Sequence, residues 1–135
     1  MAVSVHNPDV LGAPLGLYSH VASATGSRTI VVAGQVGVDR DGALVGDRDV
    51  MAQTRQAYEN VGLCLASAGA TWADVVKVTT FLVSADLIDD FFRAREETFA
   101  RLFPSGAFPP STLLVVRGLV RPELLVEIEV LAVTS

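Results

Sequence analysis

The groups best suited to moving a proton lie near the C-terminus, in Leu125-Val126-Glu127-Ile128-Glu129-Val130-Leu131-Ala132-Val133. As a strand, this segment puts Val126, Ile128 and Val130 on one face and Glu127, Glu129, Leu131 and Val133 on the other. A strand apolar on both faces is interior, and a carboxylate on it has to be paired, hydrated or functional. Two readings stay open for Glu127: a carboxylate lining a polar pocket, or a group simply reached by solvent. Glu129 reads as nearer solvent. Tyr18 and His20 share strand parity near the N-terminus. His20 reads as a polar sheet-edge histidine, with a pocket group beside Tyr18 as the sharper alternative. Cys64, beside Leu65 and three residues after Val61, reads as a core thiol rather than a nucleophile. Asp89-Asp90 and Glu96-Glu97 fall in a helical stretch and read as its solvated face. Two histidines and one cysteine cannot build a usual structural zinc site. Neither a metal nor a cofactor is expected. Gly34 and Gly37 do not form a dinucleotide fingerprint, and neither a phosphate loop nor a nucleophile elbow is present.

These residues need elements to hold them. Residues 1–16 contain Pro8, Gly12, Pro14 and Gly16 and read as loop, with a short strand possible over Val3–Val5. Leu17–Ala24, the turn Thr25-Gly26-Ser27 and the Val/Ile-rich run Thr29–Val38 read as an antiparallel hairpin. Gly34 and Gly37 within that run point to a bulge or a close backbone approach. A helix capped by Asp47 or Asp49 runs to about Ala68, with Val50, Thr54, Ala57, Tyr58, Val61 and Leu65 at helical spacing and Gly69 as its stop. A strand follows between Asp74 and Ser84, with Trp72 plugging the core edge before it. Ser84 or Asp86 caps a second helix through Phe103, where Leu87, Phe91, Ala94, Arg95, Thr98 and Leu102 share a face and Pro104 ends it. Thr112–Leu119 and Leu124–Val133 are the last strands, with Arg121-Pro122-Glu123 turning between them. The pattern is one α+β domain over residues 1–135, a mixed sheet with two helices on one face.

The composition sets bounds. The 135-residue chain carries a net charge of −5, with ten Lys plus Arg against fifteen Asp plus Glu and no basic cluster. Nucleic-acid binders need a basic footprint, so nucleic acid is not an expected partner. No run approaches the roughly 18 apolar residues of a membrane helix, and there is no basic leader before Arg28. One cysteine suits a reducing compartment. A cytoplasmic protein with no membrane partner is the expectation. Hydrophobic residues make up 50% and charged residues only 19%, below the usual share of about 25%. A chain this small has too much surface to hide that excess alone, which points to an obligate homo-oligomer meeting through the uncovered sheet face.

Seven stretches stand in a telling order: Gly16-Leu17-Tyr18-Ser19-His20 leading into Ala33-Gly34-Gln35-Val36; Gln53-Thr54-Arg55-Gln56-Ala57-Tyr58-Glu59-Asn60-Val61; Ala68-Gly69-Ala70; Asp74-Val75-Val76-Lys77-Val78-Thr79-Thr80-Phe81-Leu82; Phe108-Pro109-Pro110-Ser111-Thr112; and Val126-Glu127-Ile128-Glu129-Val130-Leu131-Ala132-Val133. Over nearly its whole length the chain resembles the YjgF/RidA family of reactive-intermediate imine deaminases. The resemblance implies a chorismate-mutase-like α+β fold and a homotrimer whose sheets form a central barrel-like core with the helices outside. It also implies three intersubunit clefts for a small-molecule metabolite, each lined by two chains. In deaminating members a tyrosine near the N-terminus and a glutamate in the last strand face the cleft, and an arginine after the Phe-Pro segment clamps the substrate carboxylate. Water adds to the imine carbon, and ammonia leaves a 2-oxo acid. By that resemblance Tyr18 and Glu127 are the catalytic candidates, and Ser111, Thr112, Leu113 and Gly34 are the substrate-binding ones.

The chain departs from the pattern where it matters. Ser111 stands at the arginine position, and Leu113 at a position often polar or cysteine. Arginine holds a carboxylate by two charge-assisted bonds, whereas serine offers one neutral bond. Hydrogen bonds to charged groups are worth roughly 1.5–3 kcal/mol, so losing the charge weakens carboxylate binding about tenfold to a hundredfold. Arg117 shares the parity of Ser111 but lies six residues on, roughly 20 Å along a strand. Arg95 and Arg101 are the helix arginines that could reach the cleft instead. The leading expectation is a hydrolase or ligand-binding member of altered specificity. An imine or enamine deaminase and a non-catalytic metabolite-sensing module are the alternatives. The acidic balance speaks against the ribonuclease label that the family also carries.

Overall fold

The computed structural model describes residues 3–135. β1 (Val3–His6) pairs antiparallel with β2 (Val21–Ala24), Val5 opposite Ala22, as a small two-stranded sheet. The main sheet has the order β3-β6-β4-β5, with β3 at Arg28–Val36, β4 at Val75–Leu82, β5 at Ser111–Val115 and β6 at Val126–Thr134. β6 runs antiparallel to both neighbours, and β4 and β5 are parallel. Parallel strands need a crossover, and α2 (Ile88–Leu102) provides it between β4 and β5. α1 (Val50–Ser67) links β3 to β4 across the same face. Two helices on one face of a mixed sheet are the expected α+β architecture.

α1 forms where capping and periodicity agree. The Asp49 carboxylate accepts from the Ala52 N–H, so Asp49 rather than Asp47 is the cap. Val50, Gln53, Thr54, Ala57, Tyr58, Val61 and Leu65 bury one stripe. At the end, Gly69 adopts φ +76°, and the N–H groups of Gly69 and Ala70 close back on the carbonyls of Ala66 and Leu65. This paired closure needs a left-handed residue, which glycine supplies without strain. Ser84 caps a short 3-10 turn, Ala85–Leu87, that runs directly into α2. Phe91, Ala94, Arg95, Thr98 and Phe99 form the buried face of α2. Arg55 on α1 grips Glu97 on α2 through two hydrogen bonds of 2.9 and 3.0 Å.

Two expectations for the strands are corrected. Leu17–Ala24 and Thr29–Val38 do not form a hairpin: only Val21–Ala24 is strand, and it pairs with β1, while β3 pairs with β6. Leu17–His20 is held as a loop instead, with the Tyr18 N–H on the Gly16 carbonyl and the Ser19 N–H on that of Pro109. Its weak alternation does not compete with those local bonds. The fifth strand stops at Val115 rather than Leu119, because its partner β4 ends at Leu82, which lies opposite Val115. Arg117 is therefore outside the sheet.

The core lies between the helices and one sheet face. Val126, Ile128, Val130 and Ala132 of β6 and Val78 and Leu82 of β4 are buried there. An aromatic cluster extends it toward the site. Phe99 meets Phe103 edge-on at 5.0 Å and stacks on Phe108 at 5.8 Å, and Trp72 meets Tyr58 and Phe103 edge-on. Such contacts anchor the Phe108-Pro109-Pro110 segment just before Ser111. The opposite sheet face is bare. Val31 and Leu131, opposite one another, and Leu114 stay 72%, 38% and 41% exposed.

Candidate functional site

Tyr18, Ser111, Thr112 and Leu113 line one cavity of about 350 Å³ at the β5 edge of the sheet. Leu15, Gly16 and, from α2, Phe92 and Arg95 complete its wall. The walls are set by ordinary folding forces. The Pro110 carbonyl accepts from the Val78 N–H at 2.9 Å, fixing the start of β5 against β4. The Ser19 N–H on the Pro109 carbonyl ties the Tyr18 loop to the same segment. The Tyr18 hydroxyl accepts from the Leu15 N–H at 3.1 Å, which leaves its own proton available to donate. His20 stands edge-on to Tyr18, centroids 5.9 Å apart, and its Nε2 lies 2.9 Å from the Gly12 carbonyl. His20 thus braces the loop and does not line the cavity.

Ser111 and Leu113 lie opposite Val78 and Thr80, both buried beneath the helices, so they face the helix side. Thr112 lies opposite Thr79 and faces the bare side, where its hydroxyl accepts from the Lys77 ammonium. Glu127 also faces the bare side, opposite Phe81 and between the buried Val126 and Ile128. It is half-buried, as is Gly34.

Gly34 and Glu127 form a pair of their own. β3 carries one extra residue between Val32, opposite Val130, and Gln35, opposite Ile128, which is a bulge. At that bulge the Glu127 side chain folds across Gly34. A Cβ on Gly34 would stand 1.9 Å from Glu127 Oε2. Gln53 sets the entry to β6: its side-chain amide donates to the carbonyls of Gly46 and Glu123 and accepts from the Leu125 N–H. Gly37 gives Gln53 its room, since a Cβ there would lie 2.7 Å from the Gln53 Cα. Both glycines expected to mark close approach do so.

The chain brings the candidate residues together as two half-sites. Tyr18, Ser111, Thr112 and Leu113 share the edge cavity, while Gly34 and Glu127 share the bare face and do not line that cavity. From the strand registers, the Cα atoms of Thr112 and Glu127 are about 12 Å apart, two strands across and two residues along.

Arg95 is the cavity residue whose place the sequence left open. Its residue is 5% exposed, and its Nε has no hydrogen-bond partner among the described residues. Burial pulls its guanidinium below the ordinary arginine value, with the Tyr58 and Tyr18 phenols acting the other way. Burial likewise pushes the Tyr58 phenol up. The signal for Arg95 was its position on the buried face of α2. Arg101, the other helix arginine, instead lines hollows with Glu59 and Thr98. Cys64 is half-buried against the core, and Asp90 pairs with Arg93 on the solvated face of α2. No group of three or more His, Cys, Asp or Glu among the described residues is placed to hold a metal. Among the described residues, no helix is long and apolar enough to cross a membrane.

Comparison with known proteins bears on this geometry. Residues 10–134 match the family model described as Endoribonuclease L-PSP. A RutC family protein from Pyrococcus horikoshii is 33% identical over 119 residues, 88% of each chain. The 2-iminobutanoate/2-iminopropanoate deaminase of Mus musculus is 35% identical over 121 residues, 90% of this chain and 84% of that one. A Rid-family protein of unknown function from Yersinia pestis superposes with a TM-score of 0.86 at 35% identity, covering 98% of this chain and 99% of the other. With the helix-on-sheet architecture, these matches establish that the chain belongs to the Rid (YjgF/RidA) family.

Proposed function

We propose that this protein is a small-metabolite hydrolase working at clefts between the subunits of a cytoplasmic homotrimer, with a specificity altered by Ser111. The observation that carries the reading is the split of the candidate residues into two half-sites that do not meet within one chain. Tyr18 and Ser111 belong to one and Glu127 to the other. A neighbouring copy docked on the bare face brings its Glu127 and Gly34 to the edge cavity and covers Val31 and Leu131. Burial of that apolar strip supports the association.

The chemistry suited to these groups is addition of water to a polarised double bond. Glu127 takes a proton from water as its oxygen bonds to the carbon, and passes that proton to the nitrogen as the double bond opens. The hydroxyl proton of the resulting carbinolamine then moves to the nitrogen through the same carboxylate, the C–N bond breaks, a carbonyl forms and ammonia leaves. The Tyr18 hydroxyl donates to the substrate, and Ser111 contributes one neutral hydrogen bond. A positioned carboxylate of this kind contributes about 100-fold or more to rate. The 2-imino acids are the second reading, favoured by the similarity to the mouse deaminase.

The test generates 2-iminopropionate in place with an amino-acid oxidase and follows its hydrolysis by the wild type and by Ser111→Arg. Acceleration by the wild type establishes deamination without an arginine at 111. Acceleration by the variant alone shows an intact cleft tuned to another substrate. Acceleration by neither, with no binding of small metabolites, refutes the hydrolase.

A further inference from the structure

Two charges of opposite sign stand unpaired, one on each half-site. Arg95 is buried to 5% exposure, and Glu127 is half-buried. Neither takes part in a salt bridge among the described residues. Among those residues no carboxylate of the same chain lines the cavity around Arg95. Its guanidinium carbon lies 4.5 Å from the centroid of Phe92 and 5.6 Å from that of Phe91. Stacking of this kind holds the plane of the group without using its N–H donors. Nη2 reaches the cavity wall, since a Cβ on Gly16 would sit 2.9 Å from it. Lys77, the other cation nearby, is engaged by the Thr112 hydroxyl. A charge taken out of water is costly when left alone, and an opposite charge with good geometry offsets that cost.

We propose that Arg95 of one chain grips Glu127 of its neighbour across the shared cleft and so positions the base. The inference rests on the cleft being shared between chains, but its test separates the two. One chain cannot close this pair by itself, because its own Glu127 folds across Gly34 on the bare face and does not line the cavity. Docking of a second copy brings that copy's Glu127 into a space of about 350 Å³, where it cannot lie far from the guanidinium. The planar fork then meets the carboxylate with two parallel bonds. Each carboxylate oxygen keeps a further lone pair, so Glu127 is aimed and can still accept from water. The base is therefore set only in the assembled protein, and the charge of Arg95 is met by the protein itself.

The first measurement labels the arginines with nitrogen-15 and follows the Arg95 side-chain signals by NMR, set apart by the ring currents of Phe91 and Phe92. Glu127→Gln, which keeps the shape, moves those signals by several linewidths in the assembled protein. In Leu131→Glu, whose bare face no longer docks, the same substitution leaves them in place. The second measurement is a charge exchange read by light scattering. Arg95→Glu sets two carboxylates in one cavity and raises the concentration at which the assembly dissociates by about tenfold or more. Adding Glu127→Arg to that variant recovers most of the loss. An assembled wild type whose Arg95 signals ignore Glu127→Gln overturns the pair while leaving the shared cleft. So does Arg95→Glu that assembles as tightly as the wild type. A loss that Glu127→Arg fails to recover marks Arg95 as a structural residue and also overturns the pair. A monomeric wild type overturns the shared cleft, and the pair with it. Should Arg95→Glu not fold, the signals in Glu127→Gln decide alone.

Discussion

At the scale of single residues, the proposed hydrolysis turns on Glu127 and the glycine beside it. Glu127→Gln keeps the shape but removes the proposed base, so turnover is expected to fall on the order of 100-fold. Melting temperature moves little, because the group is half-buried at the bare face rather than in the core. Turnover and thermal melting measured together check this, and a large loss of stability would reassign Glu127 to a structural part. Gly34→Ala is a quieter version of the same test. Its methyl displaces the end of a flexible side chain, so the fold persists while the Glu127 carboxylate moves and turnover falls. The alternation around Glu127 and the two internal glycines was legible in the sequence because strand parity is local. The contribution of Arg95 was only half legible. Helical spacing put it on the buried face, but its neighbours Tyr18 and Ser111 lie 77 and 16 residues away in sequence, and no local pattern encodes that meeting.

At the scale of elements, Gln53 joins the helix to the strand that bears Glu127. Its side chain is fully buried and makes three hydrogen bonds to backbone. Gln53→Ala leaves a buried N–H and two carbonyls without that partner, at a cost of about 3 kcal/mol. Urea denaturation reads the loss, and a change below about 1 kcal/mol would mean water replaces the amide. Asp49→Ala removes only the helix cap and costs about 1 kcal/mol in the same measurement. The Arg55–Glu97 pair joins α1 to α2 at the surface. Its hydrogen bond to Arg55 lowers the Glu97 carboxylate from its ordinary 4.5, so the stabilisation is complete above that pH and fades as pH falls through the lowered value. Glu97→Gln therefore removes this part of the acid dependence. Helix boundaries were readable because caps and stops are short-range signals. The pairing of β2 with β1 and the early end of β5 were not, since each depends on a partner strand distant in sequence.

At the scale of the whole molecule, the excess of apolar residues and the exposed Val31 and Leu131 belong together. Composition announced an uncovered surface, and the sheet registers locate it. Light scattering is expected to give about three times the 14.2 kDa of one chain. Leu131→Glu, opposite Val31 on the bare face, shifts that mass toward the monomer while circular dichroism stays unchanged. A monomeric wild type would remove the shared cleft altogether. The central claim, that each cleft takes Glu127 from one chain and Tyr18 with Ser111 from its neighbour, is tested most directly by mixing subunits. Tyr18→Ala and Glu127→Ala are purified separately, each inactive on the wild type's substrate, then unfolded and refolded together. Shared clefts predict recovered turnover, because some hybrid trimers pair an intact Tyr18 half with an intact Glu127 half. Hybrid trimers that form, as mass spectrometry of the mixture would show, yet stay inactive would contradict a cleft built from two chains.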